Sequence, residues 1–348
     1  MGDGVKKADS KIKKKKLIFV TIICAILAAL LFILAIVHGI LKKGERQLKS
    51  RVAGQILDMS DAVGCVQKDG LVMYKGQMYE YDASNINILC MGIDARGYDE
   101  KVGQADMIAI LVFNPEKDSV KCVCINRDSI GPVDIYGVAG KRVATENVQI
   151  ALAYSYGKNP AEGRKLESST VSRLLYGLPV HGSVSADIDG IGQMNELAGG
   201  VTLETLEDIP RAGIKKGETL TLDDEQALYY VTERDSASSE LGTNGRRMNR
   251  QKQYISAWCE DVQGILKKNP LKIKDMYDSM VGYIDTDLTE ESILYLTKTF
   301  AFGTGGLAEE DIYTVLGTYE RENYYDKYVV DEEKLTEMMI DIFYKKVE

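Results

Sequence analysis

Apolar and polar positions follow three patterns along this chain. The first is Leu17 to Ile40, "LIFVTIICAILAALLFILAIVHGI", an unbroken apolar run without a formal charge and with His38 near its end. At about 1.5 Å per residue it exceeds a hydrocarbon core of ~30 Å, and it is longer than the roughly 7–15 residues of a cleaved leader. It predicts one transmembrane helix at 17–40. The second pattern, over residues 44–80, is polar and broken by the turn-prone "KDG" and "KGQ". It predicts a partly helical stalk within a linker at 41–84.

From residue 85 the third pattern alternates short apolar runs with helical periodicity. "INILCMGI", "ADMIAILVFN" and "SVKCVCIN" have strand length, and "NPEKD" between the last two predicts a hairpin. "TENVQIALAYSYG" predicts a helix ending at Gly157, "LPVHGSVSADI" a strand, and "GIGQMNELAGG" a short helix stopped by paired glycines. "LDDEQALYYVTER" opens with an Asp cap and an acidic first turn, as helices do. Farther on, "LTEESILYLTKTF" predicts a helix, "DIYTVLG" a strand and "DEEKLTEMMIDIF" a last helix. Leu335, Met338, Met339 and Ile342 fall at i, i+3, i+4, i+7, the core face of that helix. No Pro/Gly/Ser-rich linker divides residues 85–348. The alternation predicts an α/β domain, a three-layer α-β-α sandwich around a mixed sheet.

Charge refines this picture. The chain has 348 residues and a net charge of -9, and the basic head 1–16 carries seven Lys against two Asp. The remainder sets 36 basic against 50 acidic side chains, net -14, which argues against a nucleic-acid partner. "KKADSKIKKKK" precedes the apolar run and "KKGERQLKSR" follows it; the bias favours a cytoplasmic N-terminus and an extracellular body. Of the six Cys, Cys24 lies in the apolar run, while Cys90, Cys122 and Cys124 sit in strand-like runs as small buried hydrophobes. Cys122 and Cys124 are two apart and are expected on one strand face. With only His38 and His181 and no Cys-x-x-Cys spacing, zinc and Ser-His or Cys-His chemistry have little to draw on.

Candidate chemistry collects at strand ends, where open sheets place their sites. "MGIDARG" sets Asp94 and Arg96 just past a buried strand, "GQADMIAI" sets Asp106 at the start of the next, and "INRDSI" sets Arg127 and Asp128 at the end of a third. Arg234 and the run "TNGRRMNRQKQ" would approach from helices. Arg246, Arg247 and Arg250 stand at i, i+3 and i, i+4, a spacing that costs roughly 0.2–0.5 kcal/mol per like-charged pair and asks for an anion. Paired carboxylates suit Mg²⁺, and Arg offers bidentate recognition of phosphate oxygens. The alternative is a set of Asp–Arg salt bridges capping strands and helices, each contributing ~0–1 kcal/mol if exposed.

In this order, "NILCMGIDARG", "ADMIAILVFNPEKDSVKCVCINRDSI", "ALAYSYG", "AGGVTLE", "LTLDDEQALYYVTER" and "NGRRMNRQ" resemble the LytR–CpsA–Psr family of cell-wall enzymes over roughly residues 85–260. The tail from "YIDTDLTEESI" is also similar. The resemblance implies that Asp94 and Asp106 hold Mg²⁺ (or Mn²⁺), and that Arg96, Arg127, Arg234, Arg247, Arg250 and Gln251 bind the pyrophosphate of a polyprenyl-linked glycopolymer. Asp94, Arg127 and Arg247 are the implied catalytic set, with Asp94 the base for the incoming hydroxyl. An apolar cavity would receive the lipid tail. A phosphoglycopolymer, teichoic-acid or capsule-like, would pass to a peptidoglycan hydroxyl at the outer face of the cell membrane.

The chain departs from the family pattern at several positions. Thr232 replaces the first Arg of an Arg-x-Arg motif, and Gln149 stands where a basic residue is common. Asn126 replaces a Pro, Asn244 an Asp and Arg246 a Gly. Two lost cations weaken an anion clamp, so a non-catalytic, membrane-anchored polyprenyl-phosphate-binding or regulatory protein is the second expectation. A transcriptional regulator, as the family's historical naming suggests, would need a cytoplasmic body.

Overall fold

The structure, a computed structural model, describes residues 32–55, 57–95, 102–234, 242–303, 307–322 and 325–347. Helix α1 covers residues 32–51. Three short strands follow, β1 (Cys65–Lys68), β2 (Leu71–Tyr74) and β3 (Gln77–Tyr81), and then the long β4 (Ile86–Asp94), β5 (Gln104–Asn114) and β6 (Ser119–Ile125). A two-stranded ribbon, β7 (Ile130–Tyr136) and β8 (Arg142–Gln149), leads to α2 (Leu152–Ser155), α3 (Pro160–Leu174) and β9 (Gly182–Asp187). Next come α4 (Ile191–Ala198), β10 (Thr202–Glu204), β11 (Thr219–Thr221), α5 (Asp224–Thr232) and the 26-residue α6 (Thr243–Lys268). The chain closes with α7 (Lys272–Met280), β12 (Ile284–Thr286), α8 (Glu290–Phe302), β13 (Ile312–Thr314), the hairpin β14 (Gly317–Glu322) and β15 (Tyr325–Val330), α9 (Glu332–Phe343) and β16 (Tyr344–Lys346).

The central sheet is mixed, in the order β12-β9-β4-β5-β6-β13. β4, β5 and β6 form an antiparallel meander, while β9 runs parallel to β4 and β13 parallel to β6. Strand alternation divides the core. Leu89, Met91, Ile108, Ile110, Val123 and Ile125 face Val171 and Leu174 of α3 and Leu335, Met339 and Phe343 of α9. Ile88, Ala109, Cys122 and Cys124 face the other way, toward Cys259 of α6, Leu296 of α8 and Leu48 of α1. Helices thus cover both faces, which is why the strands read as nearly continuous apolar runs. This is the expected α-β-α arrangement around a mixed sheet. Each fully buried Leu, Ile or Met side chain contributes about 1.5–3 kcal/mol to holding the layers together.

Local signals account for many of the boundaries. Asp223 caps α5 in a capping box with Gln226, Thr289 caps α8 and Asp331 caps α9. Gly199, at φ 83°, ends α4. Two expectations change. Thr145 to Gln149, expected to be helical, belong to β8, because β7 pairs with them along the ribbon; only Leu152–Ser155 of that stretch is helix. The expected stalk is also structured. Residues 42–51 continue α1 against α8, with Lys43 pairing with Glu291 at 2.6 Å and Leu48 buried. β1, β2 and β3 form a sheet with β16, so this segment is folded against the C-terminal end of the chain. Of the predicted membrane span only residues 32–40 are described, with Phe32, Ile33 and Leu34 exposed. Among the described residues no helix is long and apolar enough to cross a membrane.

Candidate functional site

The antiparallel meander brings the end of β4, the start of β5 and the end of β6 to one edge of the sheet. Asp94 closes β4 opposite Gln104, Asp106 is the unpaired residue of β5 at the bulge opposite Gly92/Ile93, and Arg127 lies two residues past β6. α6 crosses above this edge and contributes Arg247; Arg234 arrives just after α5.

Three guanidiniums converge on one carboxylate. Arg127 Nη1 donates to Asp106 Oδ1, and its Nη2 donates to Gln104 Oε1 at 2.6 Å. Arg247 Nη1 reaches Asp106 Oδ2 at 2.9 Å and its Nη2 reaches the Asp106 carbonyl at 3.1 Å. Arg234 Nη2 lies 3.4 Å from the same Oδ2. Asp128 adds a second carboxylate, 3.4 Å from Arg127 Nε, with Gln149 Nε2 donating to its Oδ1 at 3.1 Å. Three cations therefore share two carboxylates, all nearly buried except Arg234. Burial raises the Asp128 pKa above the usual carboxylate range against the pull of the three arginines.

Arg247 is the most buried of the three arginines. Its side chain is 3% exposed, and burial, aggravated by Arg234 and Arg127, pushes its pKa down to about 9. Its Nε–H is buried and finds no acceptor among the described residues. Leaving a buried guanidinium N–H without an acceptor is costly, so an acceptor that reached this atom would be favoured. A small recess opens beside this cluster, between the strand ends and α6, lined by Asp106, Arg127, Asn244, Met248, Gln251 and Ile255 among others.

The structure sorts the expected residues. Asp106, Arg127, Arg234 and Arg247 come together, Asp94 sits on the adjoining strand end, and Gln251 lines the recess while its Nε2 donates to the Val231 carbonyl. Arg96 lies outside the described residues. Arg250 is not brought to Asp106: it donates to the Tyr230 carbonyl at 2.7 Å, to the Glu233 carbonyl and to Glu207, locking α6 onto α5. Arg246 also meets Glu207, at 3.2 Å, so the crowded Arg run is neutralised by the protein's own carboxylates. Sequence reasoning left out Gln104 and Glu207. An Arg pair at i, i+4 signals that some anion must face it, but Glu207 is 43 residues away and nothing local marks it.

Asp94 and Asp106 offer hard oxygen donors, the set that suits Mg²⁺, which is commonly held by one or two carboxylates plus substrate phosphates. No cluster of three or more His, Cys, Asp or Glu forms a metal cage among the described residues. A two-carboxylate site completed by phosphate needs none.

The LytR_cpsA_psr family matches residues 58–341. This chain belongs to that family. It is 26% identical over 279 residues to the polyisoprenyl-teichoic acid–peptidoglycan teichoic acid transferase TagU of Oceanobacillus iheyensis, with 79% of each chain covered. Among solved structures, protein gbs0355 from Streptococcus agalactiae matches with a TM-score of 0.59 at 16% identity, covering 76% of this chain and 91% of that one. TagT bound to LI-WTA matches with a TM-score of 0.55 at 21% identity, covering 74% and 89%. These two structures share their fold with the chain. The family match begins at residue 58 and so includes the sheet of β1, β2 and β3.

Proposed function

We propose that the chain transfers a phosphoglycopolymer, teichoic-acid or capsule-like, from a polyprenyl pyrophosphate carrier to a peptidoglycan hydroxyl. The observation that supports this most is the convergence of Arg127, Arg234 and Arg247 on Asp106, with a buried Arg247 donor to spare. The name of the TagU relative supplies the substrate class. In this reading the arginines turn from Asp106 toward the pyrophosphate oxygens, and Asp106 and Asp94 would then be the residues to hold Mg²⁺, which when bound would supply neutralisation of phosphate charge. Phosphoryl transfer asks the protein mainly for positioning and charge stabilisation. The acceptor oxygen bonds to the glycan-side phosphorus, the bond from that phosphorus to the bridging oxygen breaks, and polyprenyl phosphate leaves. Asp94 takes the hydroxyl proton, and Gln251 orients a phosphate oxygen from the recess. Residues 17–40 would anchor the chain in the cell membrane with residues 1–16 cytoplasmic and the body outside.

A second reading is a membrane-anchored lipid-pyrophosphate-binding or regulatory protein without turnover. Thr232 favours it: its hydroxyl donates back to the Leu228 carbonyl at 2.7 Å, so the position adds no cation to the site. Gln149, in the place of a basic residue, is bound to Asp128 and to the Asp326 carbonyl. The full-length chain in detergent, given lipid-linked glycopolymer, Mg²⁺ and peptidoglycan, is expected to form a phosphodiester and release polyprenyl phosphate. Binding without product would favour the second reading.

A further inference from the structure

Three of the positions that depart from the family pattern, Asn126, Gln149 and Asn244, connect the site to the β14–β15 hairpin. Arg247 Nη2 donates to Asn244 Oδ1 at 2.7 Å, and Asn244 Nδ2 donates to Asn126 Oδ1 at 2.7 Å. Asn126 Nδ2 in turn donates to the hydroxyl of Tyr319, on β14. Both amides are fixed from their far ends. The Arg247 cation can only face the Asn244 oxygen, and the backbone N–H of Asp128 donates to Asn126 Oδ1 at 2.9 Å. Asn244 therefore presents N–H groups that need an acceptor; Asn126 supplies it where a proline could not, and Asn126 then needs the Tyr319 oxygen. Asn126 and Asn244 depend on each other.

The hairpin is seated to hold that hydroxyl. Tyr319 and Tyr328 pack edge to face at 4.9 Å, and a Cβ on Gly242, at the start of α6, would stand 2.9 Å from the Tyr319 ring. Tyr328 N–H donates to the Asp128 carbonyl at 2.9 Å, and Gln149 Nε2 to the Asp326 carbonyl at 2.8 Å. Asp326 Oδ2 accepts from Gly242 N–H at 3.3 Å. Asn126, Gln149 and Asn244 are thus the side chains that tie the hairpin or its relay to the site.

We propose that Tyr319 is a positioning residue for Arg247, acting through the Asn126–Asn244 pair, both of which its hydroxyl meets. Its hydroxyl keeps Nη2 of the guanidinium on Asn244, fixing the group whose Nη1 holds Asp106 and whose Nε has no acceptor among the described residues. The inference deepens the pyrophosphate-binding reading and rests on it for its ligand. With the full-length chain in detergent and geranylgeranyl pyrophosphate plus Mg²⁺ as the probe, Tyr319→Phe should weaken binding by about fivefold, the effect of one neutral hydrogen bond. Asn244→Ala should lose at least as much, and adding Tyr319→Phe to Asn244→Ala should cost nothing further, because a broken relay cannot be broken twice. The rate at which phenylglyoxal modifies Arg247, mapped by peptide mass spectrometry without ligand, should rise in both single variants while the melting temperature stays near that of the wild type. If Tyr319→Phe does not fold, Asn126→Ala interrupts the same relay from another element and should give the same pattern. Additive losses, or unchanged affinity together with unchanged Arg247 modification, would overturn the proposal. If the wild type binds no lipid pyrophosphate, the functional reading fails, and Arg247 modification still decides the relay.

Discussion

Arg247 meets Asp106 twice, through Nη1 to the carboxylate at 2.9 Å and through Nη2 to the backbone carbonyl at 3.1 Å. This contact ties α6 to β5 and makes Asp106 the resting partner of a cation whose proposed partner is phosphate. Because the same carboxylate also holds Arg127 and Arg234, a change at Asp106 should affect stability and ligand response in opposite directions. Asp106→Asn leaves three guanidiniums under-neutralised and should cost about 3 kcal/mol of stability. It should also enlarge the rise in melting temperature produced by lipid pyrophosphate in metal-free buffer, since no carboxylate competes for the arginines. Differential scanning fluorimetry reads both effects; equal ligand shifts in variant and wild type would count against the exchange of partners.

The two buried arginines of the α6 run should separate cleanly. Arg247→Ala removes charge-assisted bonds to the proposed ligand and should weaken lipid-pyrophosphate binding by about 10- to 100-fold. Arg250→Ala removes the tie to Glu207 and the end of α5, so its cost should fall on the melting temperature, with affinity held within about threefold. Calorimetric titration beside thermal melts distinguishes them, and a larger affinity loss in Arg250→Ala would reverse the assignment.

Glu167 on α3 predicts a pH dependence. It is fully buried, one oxygen accepts from Tyr154 N–H at 3.0 Å, and burial lifts its pKa to about 8 against an ordinary 4.5. A carboxyl raised in the folded state binds its proton more tightly there. Its contribution is therefore complete below about pH 4.5 and is lost as pH rises through about 8. Glu167→Gln keeps the acceptor for Tyr154 and cannot ionise, so urea midpoints should show a gain over wild type that grows across this window to roughly 5 kcal/mol. Parallel pH profiles would refute the assignment.

Thr232 tests the second functional reading. Thr232→Arg restores a cation at the end of α5 and should raise lipid-pyrophosphate affinity about tenfold, the yield of one charge-assisted hydrogen bond. Unchanged affinity would mean that this position does not face the ligand.

The central strands were legible because both faces are covered and the apolar runs of β4, β5 and β6 are continuous. β1, β2 and β3 were not. They are four or five residues long with few fully buried positions, and the pairing of β3 with β16 joins segments far apart in sequence. β8 was mistaken for helix because only its partner β7 fixes its period. At the site, Asp106, Arg127 and Arg247 stood out through strand ends and motif order. Asn126 and Asn244 appeared only as departures, since their use depends on Tyr319, 193 residues from Asn126. Arg250 carries the same side chain as Arg247, three positions along α6, and differs only in which neighbour it faces.

The most direct measurement of the central claim is a crystal structure of the protein with polyprenyl pyrophosphate and Mn²⁺. The account predicts the pyrophosphate oxygens within hydrogen-bond reach of Arg127, Arg234 and Arg247, and anomalous density for the metal beside Asp94 and Asp106. A head group bound elsewhere, or those three arginines still wholly engaged with Asp106 while the lipid is bound, would contradict it.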